Sequence, residues 1–128
     1  MPIVYGDVVL DKKIGFTIFS TEKVLGIMAD KLSSYYKIRM VYVTDVDGVL
    51  DADSRVIPRI TKSNFKSLKV GISGAKGVDV TGGMLHKVEE ALVLSKKIKV
   101  KTQIINGLVP GRLKMAILGK EVIGTRVG

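Results

Sequence analysis

The chain has no cysteine and no tryptophan, and one histidine among its 128 residues. Without thiols there is no disulfide and no thiolate metal site, and one imidazole cannot build a multi-histidine zinc centre. Residues 66–128 contain no Phe, Tyr or Trp. Nucleic-acid recognition by base stacking is therefore not expected of that half, which leaves phosphate contacts alone. No apolar run approaches the about 18 residues of a spanning helix, so no membrane association is expected. The start, Met1-Pro2-Ile3-Val4-Tyr5-Gly6, lacks a basic segment and a long apolar core. No signal peptide is expected, and the expected location is cytoplasmic.

What is present describes one domain over residues 1–128. A hydrophobic content of 46% with 14 glycines fits a compact fold with many turns. There is no internal repeat and no low-complexity linker. The net charge of +9 is uneven, about +1 over residues 1–65 and about +8 over 66–128. The basic half is either a solvated surface or an attractor of phosphate, on nucleic acid, membrane or a nucleotide.

The order of patterns predicts a strand pair, helix, strand, helix, helix, strand, helix, strand. Short apolar runs at 2–5 and 8–10 precede a turn at Asp11-Lys12-Lys13 and a strand from Ile14 to Phe19. Ser20-Thr21 caps a helix whose face is Val24, Leu25, Met28, Ala29 and Leu32. Ile38 to Thr44 reads as a strand buried on both faces. Thr61 caps a helix to about Leu68, and the glycines of 69–79 suggest a mobile loop. A helix from Met84 to Lys97 turns Met84, Val88, Ala91, Leu92, Ser95 and Ile98 to one side. A strand from Val100 to Ile105 follows. A short helix then opens at Pro110, carries Leu113, Ala116 and Ile117 inward and closes at Gly119, before a last strand from Val122 to Val127. Such alternation predicts an α/β fold, a three-layer αβα sandwich around a mostly parallel sheet.

Two stretches carry chemistry. In Asp79-Val80-Thr81-Gly82-Gly83-Met84-Leu85-His86-Lys87 an extended segment ends in a glycine pair and a helix begins. Glycines admit a close ligand, and a helix N-terminus holds anions. Lys87 stands in the first turn against the helix dipole, which suggests a bound phosphate. The alternative is a plain glycine turn with a solvated lysine. In Asp45-Val46-Asp47-Gly48-Val49-Leu50-Asp51-Ala52-Asp53, four carboxylates follow a buried strand, where α/β folds gather ligands. They suit either a hard cation or a solvated acidic turn; the spacing is not that of an EF-hand. Neither a P-loop nor a dinucleotide fingerprint is present.

Taken in order, Tyr5-Gly6-Asp7-Val8-Val9, Thr44-Asp45-Val46-Asp47-Gly48-Val49, Asp79 to Met84 with Lys87, Asn106-Gly107 with Pro110-Gly111, and Gly124-Thr125 resemble the amino acid kinase superfamily. Within it they look most like the archaeal isopentenyl phosphate kinases. The resemblance implies the fold of the family's carboxyl-terminal lobe, which binds ATP with Mg2+. The Lys-x-Gly-Gly-Ser strand end and substrate histidine of the amino-terminal half are missing, so His86 is not that histidine. By resemblance Asp45 contacts ATP, Gly82, Gly83 and Lys87 bind its phosphates, and Lys87 is catalytic. Where the family usually reads Ser-Gly-Asp-Asp, this chain has Ser20-Thr21-Glu22-Lys23. Thr21 would then face the substrate, and Glu22 would replace the acid that orients the lysines. No protein metal ligand set is implied. The implied partners are a nucleotide, isopentenyl phosphate or a similar small phosphate, and a separate amino-terminal chain or a second copy. The implied activity is phosphoryl transfer, lost or nearly lost in this chain alone. The alternatives are a non-catalytic nucleotide-binding or regulatory module and, less favoured, a nucleic-acid binder.

Overall fold

The structure is a computed structural model, and it describes residues 1–74 and 83–128, with the backbone alone at 73 and 74. A hairpin comes first, β1 (Asp7–Asp11) antiparallel to β2 (Gly15–Phe19). Its turn is closed by Asp11, whose Oδ1 accepts from the backbone N–H groups of Lys13 and Ile14. Gly15 lies at the tip with φ of 84°, a left-handed conformation that favours glycine. Residues 2–5, expected as a strand, have no regular structure.

Helix α1 (Thr21–Leu32) is capped by Ser20, whose Oγ accepts from the Lys23 N–H at 3.4 Å. It leads to β3 (Arg39–Thr44). Past the acidic loop come β4 (Arg59–Ile60) and α2 (Lys62–Gly74). Thr61 and Asn64 cap α2 reciprocally: Thr61 N–H donates to Asn64 Oδ1 at 2.7 Å and Asn64 N–H to Thr61 Oγ1 at 3.4 Å. The helix runs six residues past the expected end at Leu68, so 69–74 are helical rather than loop. Residues 75–79 of that expected loop lie outside the described residues.

Helix α3 (Gly83–Ile98) precedes β5 (Lys101–Asn106), and α4 (Arg112–Ile117) precedes β6 (Thr125–Val127). The short helix begins two residues after Pro110, with Gly111 as its N-cap at φ 78°. The four-stranded sheet has the order β3-β5-β6-β4. Two of its pairings, β3–β5 and β4–β6, are parallel, and β5–β6 is antiparallel.

The layers follow from strand alternation. Met40 and Tyr42 stand beside Thr102 and Ile104, with Val127 on the same face, and all five are buried. Against this face α3 buries Val88, Ala91 and Leu94, and α1 and α2 pack on α3. Leu94 was not on the expected face of that helix. On the other face Ile105 and Ala116 are fully buried beneath α4. There the expected inward set shrinks to Ala116, since Leu113 and Ile117 are 37% and 38% exposed. β3 is likewise buried on one face only, with Val43 49% exposed on the other.

One hydroxyl ties three segments together. Thr125 Oγ1 accepts from Val49 N–H at 2.8 Å and donates to Ile57 O at 2.7 Å. Beside it Gly48 has φ of 152°, and a Cβ there would lie 2.7 Å from that same oxygen. Replacing Thr125 by valine orphans a buried N–H and a buried carbonyl. The expected cost is about 2–4 kcal/mol of unfolding free energy in urea titration. Gly26, inside α1, has room instead: a Cβ would meet only Leu94 Cδ atoms at 3.6 Å. Gly26→Ala is expected to stabilise the protein by about 0.5–1 kcal/mol, read as a raised denaturation midpoint.

Candidate functional site

Topology collects the chemistry at one end of the sheet. Because β3 and β5 are parallel and each follows a helix, the N-termini of α1 and α3 lie at the end where the strands finish. Thr21 and Glu22, Asp45 and Asp47, Gly83 and Lys87, and Asn106 therefore share that end.

The two strand ends are stitched together. Gly107 N–H donates to Thr44 O at 2.9 Å, and Thr44 Oγ1 donates to Val46 O at 2.9 Å, turning the chain after β3. Gly107 is required for that approach, since a Cβ would strike Val43. Asp47 Oδ1 accepts from Asn106 Nδ2 at 3.2 Å and from Arg112 Nη1 at 2.5 Å. The Arg112 guanidinium, followed by the Asn106 amide, holds the Asp47 carboxyl below the usual aspartate range. Asp47 is thus engaged in structure. Asp51 is engaged too: its Oδ1 accepts from the N–H groups of Asp53 and Arg55, both at 2.9 Å, closing a tight turn. Asp45 remains exposed, with no hydrogen bond among the described residues. No group of three or more potential metal-ligating side chains occurs among the described residues.

Across from these strand ends, Lys87 of α3 meets Glu22 of α1. Lys87 Nζ lies 2.9 Å from Glu22 Oε1, and the Glu22 side chain is only 6% exposed against 28% for Lys87. The contact is ionic rather than an aligned hydrogen bond, and Oε1 has no other donor among the described residues. Burial pushes the Glu22 carboxyl up. Lys87, the local backbone N–H and Ser20 outweigh this, so it titrates below its ordinary value. The buried Tyr42 hydroxyl nearby also lacks a partner among the described residues, and burial together with Glu22 and Glu90 pushes its pKa up.

Of the residues singled out in the sequence, Gly83 is the first residue of α3 and Lys87 lies one turn along it. Gly82 lies outside the described residues. Thr21 Oγ1 accepts from Gly6 N–H at 2.8 Å, which pins the segment before β1 and leaves the hydroxyl proton to donate. Arg112 escaped the sequence reading. Its signal was Asp47 itself, a carboxylate just past a core strand that requires a counter-charge.

A family model described as Amino acid kinase family matches residues 1–106. The isopentenyl phosphate kinase of Methanocaldococcus jannaschii is 35% identical over 127 residues, covering 99% of this chain and 45% of that protein. The isopentenyl phosphate kinase of Methanothermobacter thermautotrophicus is 38% identical over 136 residues, covering 99% and 48%. An X-ray structure of an isopentenyl phosphate kinase superposes with a TM-score of 0.69 at 33% identity, over 98% of this chain and 44% of that one. The chain spans about half the length of the curated relatives it matches.

The buried pair makes a pH-dependent contribution with a definite sign. A carboxyl whose folded pKa is depressed stabilises fully above its unfolded value, and the contribution is lost as pH falls through the folded value. Wild type is therefore expected to lose stability as pH drops below about 4.5, the ordinary value for Glu22, and a Glu22→Gln variant to lose less over the same range. At neutral pH Lys87→Met strands a buried carboxylate. It is expected to destabilise by about 2–3 kcal/mol, with Glu22→Gln added to it restoring part of the loss in a double-mutant cycle.

Proposed function

The chain belongs to the amino acid kinase family, and on that premise we propose that it is the nucleotide-binding lobe of a small-molecule kinase. The reaction proposed for the complete site is transfer of the γ-phosphoryl group of ATP to isopentenyl phosphate, giving ADP and isopentenyl diphosphate. The relatives named isopentenyl phosphate kinase, which match almost the whole of this chain, support that acceptor.

The observation that carries the proposal is Lys87. It stands in the first turns of α3, at the sheet end that also holds Asp45, and a buried carboxylate fixes its direction. ATP phosphates would take the α3 N-terminus, with Gly83 admitting them closely and Gly82 assigned beside it from the sequence pattern. Lys87 would neutralise charge building on the transferred phosphoryl group. Asp45, the uncommitted carboxylate at this end, is assigned to the nucleotide. Mg2+ accompanying ATP would be held mainly by phosphate oxygens, which suits a lobe with no dedicated cage among the described residues. Thr21, with its hydroxyl proton free to donate, is assigned to the acceptor. We place the protein in the cytoplasm.

The opposite wall of this site is assigned to polypeptide beyond this chain, because the relatives are about twice as long. Its docking surface is the hairpin. Val8, Leu10, Phe16 and Ile18 are cross-strand neighbours on one hairpin face and are 61–93% exposed. A second reading, a non-catalytic nucleotide-binding module, is favoured by one observation: the Thr21 hydroxyl is already drawn to the Gly6 backbone.

Calorimetry separates these readings. The chain is expected to bind ATP, and Lys87→Ala to weaken that binding about 10- to 100-fold through loss of a charge-assisted contact. ADP release with isopentenyl phosphate is expected to be negligible for the chain alone and to appear when an amino-terminal lobe is supplied. No turnover with the lobe present would favour the binding module. ATP binding indifferent to Lys87→Ala would overturn both readings.

A further inference from the structure

Lys87 accounts for little of the +9 net charge. Much of the remainder gathers at the other end of the sheet. On the face away from α3, a cleft of about 330 Å³ is lined by Arg39, Arg59, Lys101, Gln103, Lys120 and Arg126 among others. Arg39 and Lys101 are the first residues of β3 and β5, and Gln103, Arg126 and Arg59 form the next row two residues along, so it opens toward the end opposite Asp45 and Asn106. Five steps along β3 separate Arg39 from Thr44, about 17 Å.

The arrangement is costly for a sheet. Arg39 is the register partner of Lys101, and Arg59 of Arg126, on strands about 4.8 Å apart. Like charges set side by side on neighbouring strands repel. Compensation within the chain is slight. Arg126 pairs with Glu121 at 3.0 Å, and Arg39 donates to Ile117 O at 3.5 Å. Arg59, Lys101 and Lys120 pair with no Asp or Glu among the described residues, and no Asp or Glu side chain lines the cleft. The Arg39 guanidinium is also seated: it rests on Gly119, where φ is 78° and a Cβ would strike it.

We propose that this cleft is a second anion site, separate from the nucleotide lobe's own, and that it takes a small ligand through a diphosphate or triphosphate group. Five cations less Glu121 match the about three to four negative charges of such a group. Planar guanidiniums on three strands suit the bidentate recognition of phosphate oxygens. The cleft has room for the phosphates but no aromatic lining for a base, so the phosphates are what is read. This argues against single-stranded nucleic acid. The inference rests on the cleft alone and stands whether or not the chain is half of a kinase.

The test is titration of the chain with inorganic pyrophosphate, read by calorimetry and by melting temperature. Saturable binding is expected in wild type, and the site that remains in Lys87→Ala, where the nucleotide end is weakened, is expected to keep its affinity within about twofold. Binding is expected to weaken at least about tenfold in Arg59→Gln/Lys101→Gln. That double variant is also expected to melt higher than wild type without ligand, since it removes one member of each like-charged pair; this shows it folded and reads the repulsion directly. The proposal is overturned if pyrophosphate binding disappears in Lys87→Ala and survives in the double variant, or if no saturable binding occurs. It is also overturned if an oligothymidylate displaces pyrophosphate at far lower phosphate concentration.

Discussion

Everything of chemical interest depends on the parallel pairing of β3 with β5, in register from Arg39–Lys101 to Thr44–Asn106. Parallel strands cannot be joined by a turn; each must be entered from a helix that has carried the chain back. The two helices therefore start where the two strands end. One end of the sheet receives helix N-termini, loop carboxylates and Lys87. The other receives the strand starts, with Arg39 and Lys101 side by side. The candidate nucleotide site and the Arg39–Lys101 side of the basic cleft are consequences of one pairing, and β6 with β4 adds the other side through Arg126 and Arg59.

That end of the sheet holds because its polar groups are satisfied by neighbours rather than by solvent. The acidic stretch after β3 illustrates this. Asp47 is bound by Asn106 and Arg112, and Asp51 folds its own turn. Gly48 passes so close to Thr125 that the loop and β6 become one unit. Asp53 reaches only Arg55 at 3.9 Å with both side chains exposed, and Asp45 has no hydrogen bond among the described residues. A stretch that reads as an acidic cluster is thus three different things, and only hydrogen-bond partners far along the chain distinguish them.

How much was legible follows from the range of the forces involved. Helical spacing and caps are local, so α1 and α3 were placed within a residue or two, and the alternation implied the layered α/β fold. Local pattern also marked the start of α3 at Gly83 and the place of Lys87 one turn along it. Extent was lost where tertiary contact decides. β4 is two residues long and exists only because β6 lies beside it. α2 continues past Leu68 through glycines that propensity alone would not favour. The last strand lost Val122 to Gly124, and β3 showed one exposed face because only the short α4 covers that side. Arg112, more than 60 residues from Asp47, carried no local sign of its partner. The basic character of the second half was plain, but the gathering of Lys101 and Arg126 with Arg39 and Arg59 in one cleft required the strand register.

The Glu22–Lys87 pair shows how a ligand site can stay folded without its ligand. A lysine in the first turns of a helix faces the positive end of the dipole, and a glutamate 6% exposed has lost most of its hydration. Each is unfavourable alone, and together they hold α1 against α3. The poor alignment of the contact leaves Glu22 Oε1 underused and Lys87 partly exposed, with donor capacity to spare. A phosphate arriving at the α3 N-terminus can therefore engage Lys87 without stripping Glu22 of its counter-charge. In the proposed nucleotide site the acid would act through the lysine, by fixing where the cation points. A glutamate can serve that role, because what matters is a buried charge within about 3 Å of the ammonium.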